Sequence, residues 1–168
     1  MPADDLLVPA PDPTPDPASV HAPAPSPADP RLERVATWFE TLTPATLADL
    51  ASIYADDARF KDPFNEVQGT AAIRRVFEHM YVALREPRFV VRERFGAGDD
   101  AFLAWDFLFR FRRGDDAVQC VRGATHLKFG PDGRIVLHRD YWDAAEELYE
   151  KLPAIGSLMR WLKRRVAG

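Results

Sequence analysis

Cysteine is nearly missing from this chain: Cys120 is the single one in 168 residues. That excludes an intrachain disulfide framework and any metal site built on paired cysteines, and its alternating neighbours read as a strand holding a structural thiol. Long apolar runs are missing as well. No stretch approaches the roughly eighteen apolar residues of a membrane span. The opening MPADDLLVPAP has no basic n-region and no apolar core, so no signal peptide is expected and the cytoplasm is the expected location. Spaced histidines of the HxH or HExxH kind are missing, so neither a metal nor a cofactor is expected. A GxGxxG turn, a Walker A loop and a GxSxG elbow are missing too, which argues against nucleotide cofactors and serine hydrolysis.

Basic charge is missing from the first thirty residues. That stretch holds Asp4, Asp5, Asp12, Asp16 and Asp29 and no Lys, Arg or Glu. Of the 26 acidic residues, 21 therefore lie in the remainder, against 22 Lys and Arg, which is close to neutral. Such a domain has no field to steer it to nucleic acid, and no nucleic-acid partner is expected.

What the opening does have is proline: ten of the fifteen lie in residues 1–30, with Ala and Asp between them. Proline removes backbone donors and clashes with a preceding helical turn, so 1–30 reads as a disordered leader of extended, hydrated backbone. Residues 31–168 read as a single domain, long enough for a sizeable core.

Folded patterning begins at Arg31. RLERVATWFETL spaces Leu32, Val35, Trp38, Phe39 and Leu42 as one helical face. Thr43-Pro44 opens a second helix running to about Tyr54, by N-cap and first-position proline. Phe60 follows in a short extended piece, Asp62-Pro63 turns the chain, and Gly69-Thr70 begins a helix that buries Ile73, Val76, Phe77, Met80 and Leu84. After Pro87 the period changes from 3.6 to 2. Strands are expected at 88–96, 101–112, 117–129 and 134–142, joined by Gly- and Asp-rich turns of antiparallel hairpins. Asp143 with Glu146 has capping-box spacing, and helices are expected from there to the C-terminus. The order implies an α+β fold: a curved antiparallel sheet packed against N-terminal helices, with C-terminal helices.

Within 101–112, alternation separates Leu103, Trp105, Phe107, Phe109 and Phe111 from Phe102, Ala104, Asp106, Leu108 and Arg110. The first set is too apolar to meet water, so a terminal helix or a second subunit is expected to cover it, and a homodimer through this sheet face is anticipated. The mixed second set reads as a pocket wall.

Polar residues that the pattern places at or near burial are the candidates for chemistry. They are Asp62, Asp106, Thr125, His138 and Asp140. Asp62, between Phe60 and Phe64, is either a turn residue capping its own backbone or a general base in an apolar mouth. Asp140 shares a strand face with His138 and Trp142 and is either catalytic or half of a structural pair. Asp106 is a second mid-strand acid that either shares a proton or a water with Asp140 or belongs to a buried salt bridge, which gives the same pattern. His138 could orient Asp140 or move a proton itself.

The run YADDARFKDPFNEVQGTAAIRRVFEHM, residues 54–80, resembles the segment that opens the pocket in ketosteroid isomerase-like proteins. FGPDGRIVLHRDYWD, residues 129–143, resembles their last hairpin. Together they are similar to the SnoaL-like superfamily, which shares the cone-shaped fold of nuclear transport factor two. That resemblance implies a cone-shaped sheet around a pocket lined by Trp38, Tyr54, Phe64, Thr125 and Trp142. It sets Asp62 at the position of the isomerase's proton-transferring aspartate, and Trp38 and Thr125 at its two oxyanion donors. HRDYWD is also similar to the last-strand motif of limonene epoxide hydrolase-like proteins. There Asp140 matches one aspartate of an Asp-Arg-Asp group and Asp106 the other, while the arginine's place falls at Ala104. The resemblance implies a small apolar or amphipathic ligand. It leaves open isomerase, dehydratase or hydrolase chemistry through Asp62, Asp106, Asp140 and His138, and equally a non-catalytic binding or interaction module.

Overall fold

The computed structural model describes residues 29–113 and 116–144. The leader, up to residue 28, and the expected C-terminal helices lie outside the described residues. Helix α1 spans Pro30–Glu40, with the Asp29 side chain accepting a hydrogen bond from the Arg31 backbone N–H. Asp29 and Pro30, grouped with the leader by composition, thus form the cap and first residue of this helix. Its buried face is Leu32, Val35, Ala36, Trp38 and Phe39. The expected second helix is a 3-10 turn at Thr46–Asp49 followed by one short turn, α2, at Leu50–Ile53. The extended piece around Phe60 is a full strand, β1 at Tyr54–Lys61. A short β2 at Glu66–Gln68 pairs back onto it. Helix α3 covers Thr70–Ala83 and buries Ile73 and Phe77. Strands β3 (Leu84–Ala97), β4 (Asp100–Phe111), β5 (Gln119–Phe129) and β6 (Ile135–Tyr141) follow as successive antiparallel neighbours.

The sheet order is β2-β1-β6-β5-β4-β3. This corrects the expected cone-shaped, curved, antiparallel sheet in two respects. β2 and β3 stand at opposite edges without pairing, so the sheet is open and neither closed nor strongly curled. β1 and β6 run parallel, so it is mixed. The physical reason is the long connection between those strands: a parallel pair needs a crossover, and everything from β2 to β5 supplies one. Hairpin turns are visible in a sequence, whereas a parallel pairing across 70 or more residues leaves no local sign.

A second correction concerns the faces of β4. Leu103, Trp105 and Phe109 are buried against the core formed with α1 and α3, and Phe107 and Phe111 pack against it. The chain covers this face itself, with Phe39 of α1 at 5.6 Å from Phe89 and Phe89 at 5.5 Å from Trp105, ring centre to ring centre. Among the described residues nothing shows a homodimer through that face, and the terminal helix that was its alternative cover lies outside them. The mixed set of Phe102, Ala104, Asp106 and Leu108 is the outer surface, not a pocket wall.

Candidate functional site

The inner faces of β5 and β6 are in register, so Thr125 stands opposite Asp140 and Leu127 opposite His138. β4 places Leu103 opposite Thr125 and Trp105 opposite Gly123. Gly123 is required there: a Cβ added to it would lie 2.4 Å from the Trp105 ring, so only glycine lets the indole lie flat on β5. Lying so, the Trp105 indole N–H donates to Thr125 Oγ1 at 2.8 Å. The Thr125 hydroxyl donates to Asp140 Oδ1 at 2.5 Å.

A second line of donors reaches the same oxygen. His138 is 1% exposed and lies opposite Phe60 across the β1–β6 pairing. Its Nδ1 is 2.7 Å from the Tyr54 hydroxyl, and its Nε2 is 2.8 Å from Asp140 Oδ1. Tyr54 is fully buried, and that burial, followed by the nearby Asp140 carboxylate, pushes its phenol well above the ordinary range. It therefore keeps its proton and donates to Nδ1. A ring that accepts at Nδ1 carries its proton on Nε2 and presents it to Asp140. Tyr54 to His138, and Trp105 to Thr125, are two donor chains that converge on one carboxylate oxygen. Among the described residues, Asp140 Oδ2 accepts no hydrogen bond.

That carboxylate stands at the junction of two spaces. A void of about 20 Å³, lined by Phe39, Phe89, Leu103, Thr125, His138 and Asp140 among others, has room for one water. A vestibule of about 330 Å³ opens beyond it, between α3 and the sheet. Its walls are aromatic: Phe60, Phe77, Phe89, Trp105, Phe107, Phe109, Phe111, and, on the side of Asp62, Phe64 and Trp142. This is the size and character of a small-molecule site.

Several expected residues meet here and others do not. Asp140, Thr125 and His138 line the void, and Phe64, Trp142, Asp62 and Asp140 line the vestibule. Asp62 is held in a turn. Its Oδ1 accepts from the backbone N–H groups of Phe64 and Asn65, and the Asn65 amide reaches both of its oxygens. Asp106 lies on the opposite face of the sheet, bonded to Arg92 at 2.7 Å with Arg122 at 4.0 Å. It does not meet Asp140. Trp38 lines neither space; it packs edge-on against Phe39, Tyr54 and Phe77, and its indole N–H has no partner. Tyr54 sits behind His138 rather than in the wall. Sequence reasoning missed Trp105 as a member of the polar network, although its parity with Leu103 placed it on the face that proved to be inner.

No curated protein sequence matches the chain. Solved structures with the same fold do. A protein of ketosteroid isomerase-like fold from Catenulispora acidiphila DSM 44928, in complex with trimethylamine, superposes with a TM-score of 0.60 at 16% identity, over 71% of this chain and 89% of that one. An NTF2-like protein from Burkholderia pseudomallei K96243 gives 0.61 at 18% identity, over 69% and 92%. An epoxide hydrolase of M. tuberculosis, described as LEH-like, gives 0.59 at 14% identity, over 82% and 96%. Similarity at this level speaks for the fold. The model of the SnoaL-like domain matches residues 35–138, which span α1 to the middle of β6 and include the Tyr54–His138 pair. By sequence the chain belongs to the SnoaL-like family, and its fold is that of the ketosteroid isomerase-like and NTF2-like structures above.

Proposed function

We propose that this domain binds a small, mostly apolar molecule in the vestibule and acts on it by general base catalysis at Asp140, by activating a water as a hydrolase does. The observation that carries this is the convergence of both donor chains on Oδ1, which leaves Oδ2 open beside a void of one-water size. In this reading Oδ2 takes a proton from a water in that void as the water oxygen bonds to an epoxide carbon, the ring C–O bond breaks, and the alkoxide so formed takes a proton from solvent water to give the diol. His138 and Thr125 hold the carboxylate in place, and Tyr54 fixes the tautomer that lets His138 donate. Asp62, held by Asn65, forms part of the vestibule wall and is not the base. The likeness to an epoxide hydrolase supports a hydrolytic reaction, and the trimethylamine complex of a similar fold supports a small ligand.

One observation favours a non-catalytic binding module instead. Among the described residues lining the cavity, no second acid stands free to protonate a leaving group, since Asp62 is occupied. The test is turnover by the parent and by Asp140→Asn of a panel of epoxides in ¹⁸O-labelled water, with β,γ-unsaturated ketones as substrates for proton transfer without hydrolysis. The expected result is label incorporated into a diol by the parent and a loss of about 10²-fold or more in the variant. Binding of these compounds with no turnover, or turnover equal in both proteins, rejects Asp140 as the base and leaves the binding module.

A further inference from the structure

The basic residues of this domain are distributed unevenly between its two sides. Outside the cavity, carboxylates have cationic neighbours. Asp106 pairs with Arg92 and Arg122, Asp100 with His126 and Lys128, Asp56 and Asp132 with Arg134, and Glu86 with Arg110. Inside it, the described lining of both spaces contains two aspartates, Asp62 and Asp140, and not one Lys or Arg. Asp62 receives only N–H groups of the turn and of the Asn65 amide. Asp140 meets the His138 imidazole and the Thr125 hydroxyl. The remaining titratable groups are His138, both of whose nitrogens are engaged, and His79 at the exposed rim.

Two carboxylates with no Lys or Arg beside them in the described lining, set in walls of low polarity, focus a negative potential into the vestibule, while Lys61 and Arg139 stand with them only in the neighbouring surface groove. The walls themselves add to it. Phe107 and Phe109 lie 5.3 Å apart, Phe109 and Phe111 5.3 Å, and Phe64 and Trp142 5.3 Å, ring centre to ring centre. Aromatic faces carry negative charge density and attract cations, alkylammonium groups above all, because such ions lose little hydration on entering. A neutral hydrocarbon would gain from the rings alone, and an anion would be repelled by both acids.

We propose that the ligand of this cavity is a compact organic cation, an alkylammonium or protonated amine with apolar substituents, held by the aromatic walls and by the charge of Asp140 and Asp62. This rests on the reading of the vestibule as a small-molecule site and is independent of whether Asp140 is a base.

The test is an NMR titration of the full chain at pH 8. The ligands are three near-isosteric probes: choline, its neutral analogue 3,3-dimethylbutan-1-ol, and the anion 3,3-dimethylbutanoate. Choline is expected to shift the signals of Trp105, Trp142 and Asp140 with a Kd about tenfold or more below that of the alcohol, and the anion to bind weakest. Asp140→Asn should shrink the preference for choline over the alcohol. Asp62→Asn, in which the amide oxygen still caps the turn, should do the same, and Asp106→Asn on the outer face should leave it intact. The proposal is overturned if the alcohol binds as tightly as choline, if choline shifts lie outside the cavity, or if choline does not bind. An absent cation preference with turnover lost in Asp140→Asn would reject the ligand class and keep the reaction. The reverse pattern would keep the ligand class and reject the reaction.

Discussion

Asp106 and Asp140 make a natural comparison. Asp106 lies between Trp105 and Phe107 in sequence and Asp140 between Arg139 and Tyr141, and each sits one strand away from β5. Asp106 faces outward and meets the guanidinium groups of Arg92 and Arg122, whose side chains are 58% and 77% exposed. Asp140 faces inward and meets a fully buried histidine and a threonine that is 2% exposed. The difference is one of strand parity, and it decides everything else about the two groups. Water and mobile arginines can rearrange around the outer acid, whereas the inner one is held by donors whose own positions are fixed by packing. A carboxylate held in that way is suited to chemistry, and a carboxylate on the outer face is suited to solubility.

The largest expected effect breaks the inner arrangement at its centre. His138→Ala leaves the Tyr54 hydroxyl and Asp140 without their shared partner and opens a void in the core. It should cost about 3–5 kcal/mol in urea unfolding. A loss below about 1 kcal/mol, the range of an ordinary surface substitution, would show that His138 does not tie β1 to β6.

A smaller effect sharpens the comparison through pH. Because the Tyr54 phenol is raised in the folded protein, its stabilising contribution is fully present below the unfolded value near 10 and is lost as pH rises through the folded one. Tyr81 acts in the same direction, its phenol pushed up to about 12 by burial. The stability of the parent should fall above pH 10. The gap between the parent and Tyr54→Phe should narrow there by about 1.4 kcal/mol per pH unit. A gap that stays constant from about pH 9 to 11 would mean that Tyr54 is not the buried proton donor of the network.

The smallest effect lies outside. Asp106→Asn removes one partner of exposed arginines and should cost no more than about 1 kcal/mol, less at high salt. Turnover and ligand binding should not change. An Asp106→Asn variant that lost either would place that acid in the site after all.

Much of this molecule was legible from residue spacing. The helix of Leu32, Val35 and Phe39, the helix after Gly69 and four of the six strands follow from hydrophobic period and turn residues. Parity also grouped His138 with Asp140; His126, of opposite parity to Thr125, lies on the other side, where it stacks on Phe102. Parity could not tell which side of β4 was covered, because alternation shows which residues share a face and says nothing of what packs on it. Spacing therefore leaves the all-aromatic side to a terminal helix or a second subunit and the side of Asp106 to the pocket. Tyr54 could be named as a pocket residue by resemblance, but its bond to a histidine 84 positions away depends on a parallel strand pairing that leaves no periodic trace. Asp62 shows the same limit. Its turn with Asn65 and its place at the cavity are both real, and spacing alone could not weigh one against the other.

The parallel pairing of β1 with β6 has a consequence for how the site comes into being. β3, β4, β5 and β6 are joined by hairpins, whose contacts are near in sequence and form early. The β1–β6 seam closes a loop of most of the domain, and the entropy of that closure is recovered only when both strands are in place. The Tyr54–His138 bond spans this seam, so the polar network is completed by the contact with the greatest sequence separation. A chain that has formed its hairpins but not the seam holds Trp105, Thr125 and Asp140 together with an unfixed imidazole. Local opening of the seam would return the protein to that state while leaving most of the sheet intact.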